Sequence, residues 1–265
     1  AEGNRGVLME FMRKRLDDAG RKADIVSRIV PVNVDGIAGE WVLAPNASAS
    51  HRLLYIHGGA YMTGSPLSHR TITSELSVAS GASVLAINYR LMPENTRLEG
   101  VEDTQFAYRW MLEHGPDSDT PAEAVFVAGD SSGGNMALAL LAWVRDNGIR
   151  PANAAVVFSP QTDITLASPS LRANTATDIM QGESFGPVVK ATAFVRLWMM
   201  FGMHRVNPSN KVVSPLLGNL SELPPTLIQV SLAEMFLDDA NRYVNKAKQQ
   251  GSVAELQVWP DTVHV

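Results

Sequence analysis

Apolar positions along this chain change period repeatedly, and the changes predict an alternating succession of strands and helices. Within residues 7–19, Leu8, Phe11, Met12 and Leu16 recur at helical spacing, while Arg13, Lys14, Arg15, Asp17 and Asp18 fill the positions between. That spacing predicts an amphipathic helix laid over apolar material. Two β-rich runs, 28–34 and 37–43, flank Asp35-Gly36. Asp-Gly favours the type I′ turn that joins twisted antiparallel strands, so the runs predict a hairpin. Residues 46–50, Asn-Ala-Ser-Ala-Ser, read as a plain loop.

Further strands are predicted at 52–56, 83–88, 125–128, 154–158, 226–230 and 255–259. Helices are predicted at 69–80, 100–114, 132–145 and 238–250, among others. Such alternation implies an α/β fold: a mostly parallel sheet of eight strands, the opening pair antiparallel, with helices on both faces and right-handed crossovers. Residues 165–210 contain no strand pattern and are long for one connection. They read as an insertion that forms a lid over the active edge of the sheet together with the N-terminal helix. Phe194, Trp198, Met199 and Phe201 would then line an acyl pocket or pack the lid onto the helices below. One domain over 1–265 is expected, with a cap from about 1–27 and about 165–210.

Composition narrows the function classes. The 265 residues are 45% hydrophobic and 18% charged, as in a soluble globular domain with a sizeable core. A net charge of −5 argues against a nucleic-acid partner. With no cysteine, the chain has no disulfide, no thiolate nucleophile and no Cys-ligated zinc. No apolar run is long enough to span a bilayer, so stable membrane anchoring is not expected. The N-terminus lacks the basic-then-apolar plan of a secretory signal, which makes a cytoplasmic location the default expectation. No motif calls for a cofactor or a metal.

Chemistry concentrates where the buried run 125–128 breaks at Gly129-Asp130-Ser131-Ser132-Gly133 and restarts as a helix. A G-x-S-x-G between strand and helix is a nucleophile elbow. Its glycines permit a sharp turn that lifts Ser131 clear at the carboxyl edge of the sheet. The following helix directs free N–H groups toward negative charge forming there. His57-Gly58-Gly59-Ala60 follows directly on another strand and reads as an anion loop, whose Gly59 and Ala60 amides would join that of Ser132 in an oxyanion hole. At Ala60 a methyl is acceptable if φ is negative. His57 reads as a hydrogen-bonding brace for the loop.

A serine hydroxyl needs a base and an orienting acid. Of six histidines, only His204 and His264 follow Ser131. His204 lies in the insertion, whereas His264 follows the last strand at the edge where a base must sit. Two carboxylates follow the strand 226–230: Glu234 just past its end and Asp238 one turn on. Glu234 is the favoured acid, Asp238 the alternative, and Asp239 is expected to face solvent.

With these residues in place, the chain resembles the hormone-sensitive-lipase-like family of α/β-hydrolases, in particular bacterial esterases with a GDSAG elbow. The resemblance runs through His57-Gly58-Gly59-Ala60, Tyr89-Arg90-Leu91-Met92-Pro93-Glu94 and Gly129-Asp130-Ser131-Ser132-Gly133-Gly134. It continues through Ser159-Pro160 to Asp163, Val213-Ser214-Pro215-Leu216, Glu234 to Asp239, and His264. It implies an α/β-hydrolase fold with a helical cap and a triad on Ser131, His264 and Glu234. The implied oxyanion donors are Gly59, Ala60 and Ser132. The implied activity is hydrolysis of short-to-medium acyl esters, with a small-molecule ester as partner and a homodimer as a common assembly. Ser132 stands where the family has alanine, and Asn95-Thr96-Arg97-Leu98 where it has H-P-F-P. The family also continues into a terminal helix beyond the position of Val265. A non-catalytic small-molecule receptor and an amide hydrolase are the alternatives on the same fold.

Overall fold

The computed structural model describes residues 2–265, with side chains from Gly6 onward. Among the described residues, eight strands form one mixed sheet in the order β1-β2-β4-β3-β5-β6-β7-β8. The chain divides into two compact units, one running to Ala128 and the other Gly129–Val265.

The first unit opens with α1 (Glu2–Arg21) and the hairpin β1 (Arg28–Val34) and β2 (Ile37–Leu43). Asp35 and Gly36 both take positive φ, 45° and 103°, as the type I′ turn requires. Val34 then pairs with Ile37 across it. β3 (Ser48–Ile56) begins earlier than the sequence suggests, because the serines read as loop carry ladder bonds. Ser48 N–H donates to Gly81 O at 2.8 Å, and the Ser83 hydroxyl donates to Ser48 O at 2.9 Å. Composition alone hid this, since small polar residues favour turns only when the sheet offers them no partner. The fully buried Arg52 donates to the carbonyls of Ala49, Met111 and Thr120, which ties β3 to the segment that follows it.

After a 3₁₀ turn at Leu67–His69 come α2 (Arg70–Ser80), β4 (Ala82–Ile87) and α3 (Arg97–Glu113). β4 pairs antiparallel with β2 and parallel with β3, and all six of its residues are buried. Two-sided burial explains its apolar sequence, in which Ser83 is the one polar residue. α3 starts three residues before the apolar pattern does. A Thr96/Glu99 capping box satisfies its first amides.

α1 rests on the 3₁₀ turn, where a Cβ at Gly20 would stand 1.9 Å from Leu67 O. Only glycine permits that approach. Arg13 of α1 donates to Met62 O and Met92 O and meets Glu94 with two nitrogens. The helix is therefore fixed by polar bonds, while Leu8, Phe11, Met12 and Leu16 on its apolar stripe are exposed.

β5 (Ala124–Asp130) leads into the second unit, which holds α4 (Ser131–Asp146), β6 (Ala154–Phe158), β7 (Thr226–Ser231), α8 (Leu237–Gln249) and β8 (Ala254–Trp259). β6, β7 and β8 pair in parallel. Between β6 and β7, the strandless interval folds as α5 (Ser170–Ala173), α6 (Gly182–Lys190) and α7 (Ala193–His204). Leu166, Leu171, Val189 and Met200 of this insertion form a core cluster with Met235 and Phe236.

The aromatic face of α7 does not pack as a lid core. Phe194, Trp198, Met199 and Phe201 are 79%, 70%, 37% and 54% exposed. Arg196, Met200 and His204 point inward instead, and Arg196 is held by the carbonyls of Val189 and Ala191.

Candidate active site

β5 stays extended through Asp130 (φ −118°, ψ 147°), and the chain then turns at Ser131 with φ +50° as α4 begins. A left-handed conformation costs a non-glycine residue about 1–2 kcal/mol and persists only where surrounding structure enforces it. Close approach of α4 to the end of β6 helps enforce it. A Cβ at Gly134 would lie 3.1 Å from Pro160 Cβ and 3.3 Å from Gly129 O. The buried Asn135 amide donates to Gln161 O and Val213 O, anchoring the first turn of the helix.

The imidazole of His264 reaches this hydroxyl from the far end of the chain. Its Nε2 lies 2.9 Å from Ser131 Oγ, and its Nδ1 lies 2.5 Å from Glu234 Oε2. Ser131 is half-buried, His264 and Glu234 fully so, and the Phe236 ring meets the imidazole edge-on at 5.5 Å. The segment carrying His264 is held to the end of β7: Leu232 N–H donates to Trp259 O, and the Ser231 hydroxyl donates to Thr262 O. The other oxygen of Glu234, Oε1, accepts Ser231 N–H at 2.5 Å and the Ser159 hydroxyl at 2.8 Å.

Of the two carboxylates weighed for the acid, Asp238 is committed elsewhere. Its Oδ2 accepts Ser170 N–H, and its own N–H donates to the Ser170 hydroxyl, which joins α8 to α5. His204 sits buried in the last turn of α7.

Asp239 does not face solvent. It is fully buried, with Oδ2 accepting the amides of Thr162 and Asp163 and Oδ1 accepting the Ser168 hydroxyl. The expectation failed because an acid in the first turn of a helix is equally suited to bonding a neighbouring loop. Asp163, also buried, pairs with Arg242 at 2.9 Å, and Arg242 donates to Ser168 Oγ as well.

Burial pushes the Asp239 carboxyl up to about 7, with Asp163 adding to the rise and the Ser168 hydroxyl opposing it. A carboxyl that holds its proton more tightly when folded contributes its full stability below about pH 4, and that contribution is lost as pH climbs toward 7. Asn at 239 keeps an oxygen for the two amides and turns its NH₂ toward Ser168. Urea unfolding of Asp239→Asn between pH 4 and 7.5 should therefore lack a decline of about 2–4 kcal/mol that the parent shows. Parallel curves for the two proteins would mean that Asp239 folds ionised.

In the loop that follows β3, Gly59, Ala60 and Tyr61 take φ of +115°, +54° and +65°. Ala60 thus does not meet the condition of negative φ under which its methyl is easily accommodated. Gly59 O gathers the amides of Met62 and Thr63 and the Thr63 hydroxyl, and this tight turn imposes the left-handed backbone on both residues that follow. Arg97, itself buried, lies 3.5 Å above the Tyr61 ring and holds it down. His57 braces the loop as anticipated. Its Nδ1 is 2.8 Å from Gly58 O, its ring stacks on Tyr89 at 4.3 Å, and the Tyr89 hydroxyl donates to His57 O.

Several residues that hold the site were not singled out in the sequence. Asn174 donates to the carbonyls of Leu232 and Glu234, Thr177 to Ala233 O, and Ser170 to Met235 O, while Asp178 accepts Met235 N–H. Four side chains of the insertion thus pin the turn that carries the acid. No local pattern distinguishes them from ordinary loop polars.

Residues 53–265 match the model of a family described as having the alpha/beta hydrolase fold. The chain belongs to the α/β-hydrolases. This α/β-hydrolase is 37% identical over 234 residues to the acetyl-hydrolase of Streptomyces hygroscopicus, covering 88% of this chain and 74% of that protein. A crystal structure of EstE5 soaked by p-nitrophenyl butyrate matches it with TM-score 0.84 at 34% identity, over 97% of this chain and 82% of that one. An esterase from the bacterial hormone-sensitive lipase family matches with TM-score 0.82 at 32% identity, over 97% and 83%. Kinship with that esterase family and the Ser131–His264–Glu234 geometry make this α/β-hydrolase a carboxylic ester hydrolase of the serine type. Among its described residues, no helix is long and apolar enough to cross a membrane.

Proposed function

We propose that Ser131 is the nucleophile, His264 the general base and acid, and Glu234 the orienting carboxylate of an esterase for short-to-medium acyl chains. The imidazole bridging Ser131 Oγ and Glu234 Oε2 carries the reading. Ser131 Oγ attacks the ester carbonyl carbon as its proton passes to His264 Nε2, and Glu234 steadies the imidazolium that results. The negative charge on the tetrahedral oxygen is received by the amide of Ser132, at the start of the helix that follows the nucleophile. His264 then gives its proton to the departing alkoxide, which leaves Ser131 acylated. A water loses a proton to Nε2, attacks the acyl carbon and releases the acid, and the proton returns to Ser131 Oγ.

The acyl range is supported by the relative EstE5, whose crystal was soaked by p-nitrophenyl butyrate. The test is kcat/KM across p-nitrophenyl acetate, butyrate, octanoate and palmitate. Butyrate or octanoate should exceed palmitate by about tenfold or more, the scale on which an apolar pocket discriminates chain length. A maximum at palmitate would overturn the acyl range and leave the triad standing.

A further inference from the structure

Ser159 follows directly on β6, takes φ +48° and is followed by proline. Both facts disfavour its backbone. A non-glycine residue avoids the left-handed region, and a residue before proline is pushed toward extended conformations. The side chain is 2% exposed, its N–H donates to Gln229 O on β7 at 2.8 Å, and Pro160 seats against Gly134 of α4. This conformation aims the hydroxyl at Glu234 Oε1, 2.8 Å away. Strain held in place beside a reacting group is an observation that asks for a function.

We infer that Ser159 is a positioning residue of the hydrolytic site, acting through Glu234 to set how strongly His264 holds its catalytic proton. Glu234 has two oxygens with different duties. Oε2 faces the imidazole Nδ1, and Oε1 accepts from Ser159 Oγ and Ser231 N. Two donors on Oε1 fix the carboxylate plane and draw negative charge toward that oxygen. The share left on Oε2 is enough to orient the imidazole without holding the imidazolium so firmly that it fails to protonate the leaving alkoxide. Ser231 supplies a backbone donor that substitution cannot remove. Ser159 supplies the only one of the two that a side-chain change can delete.

Two variants separate the hydroxyl from the backbone. Ser159→Ala removes Oγ and keeps the unfavourable φ, whereas Ser159→Gly removes Oγ and relieves it. With p-nitrophenyl butyrate, both should move the acid limb of the kcat/KM profile upward by about half to one pH unit. Both should also lower kcat about five- to thirtyfold while KM changes less than about twofold, the split expected when a transition-state interaction is lost. Thermal melting should separate them, with glycine at least as stable as alanine. An alanine variant with the parent's profile and kcat would overturn the inference, as would a change confined to the glycine variant, which would mark Ser159 as a backbone device alone. The inference rests on the base role proposed for His264. A parent profile with no acid limb would strike that role and the inference with it. A parent limb left unmoved in both variants would strike Ser159 alone.

Discussion

Ser131→Ala is expected to lower kcat for p-nitrophenyl butyrate by a factor on the order of 10⁵–10⁶, with KM close to that of the parent. Loss of this size follows because the hydroxyl is the only atom removed, while the imidazole and the carboxylate stay in place. Residual hydrolysis would come from water activated beside an intact site and should remain about 10³-fold above the uncatalysed rate. Alanine keeps the Cβ and the same backbone demand at φ +50°, so its melting temperature should stay near the parent's. Intact mass after a fluorophosphonate probe gives an independent reading: one adduct on the parent and none on the variant. A variant that still labels, or that retains a tenth of the parental kcat, would move the nucleophile away from Ser131.

Glu234→Gln is the second large effect, a fall in kcat of about 10³–10⁴. The amide can keep its oxygen at the Oε1 position, where Ser159 and Ser231 donate, but its NH₂ then faces His264 Nδ1. Two donors cannot share that bond, so the imidazole is driven to the wrong tautomer and loses its capacity to take the serine proton. Asp238→Asn is the matched control. Asp238 bonds Ser170 rather than the imidazole, so its amide variant should keep kcat within about threefold and lose about 1 kcal/mol of stability. Reversed ranks for the two variants would give the acid role to Asp238.

Much of the architecture was legible because burial writes itself into sequence. β4, covered on both sides, is apolar at five of its six positions, and the Asp35-Gly36 turn specifies its hairpin with two residues. The elbow was legible for the same reason, since a strand, a glycine-flanked serine and a helix can adjoin in few ways. What stayed hidden depends on partners distant in the chain. Ser48 looks like loop until the Gly81 carbonyl and the Ser83 hydroxyl satisfy its backbone. Asp239 looks like a solvent-facing helix acid until the amides of Thr162 and Asp163 are laid against it. Glu234 and Asp238 could be ranked by their distance from the strand end, but only folding shows which one meets the imidazole. The outward face of α7 was misjudged because its aromatic residues carry the pattern of a buried stripe, yet Arg196 and His204 occupy the inner one.

The stitching of the α5 region to residues 232–235 has an evolutionary corollary. Ser170, Asn174, Thr177 and Asp178 make the insertion a mechanical neighbour of the turn that carries Glu234. Remodelling that segment would transmit its displacement to Glu234. Descendants selected for new substrates should accordingly first appear as slow enzymes, and regain speed by mutations that restore these four tethers rather than by mutations near the ester itself.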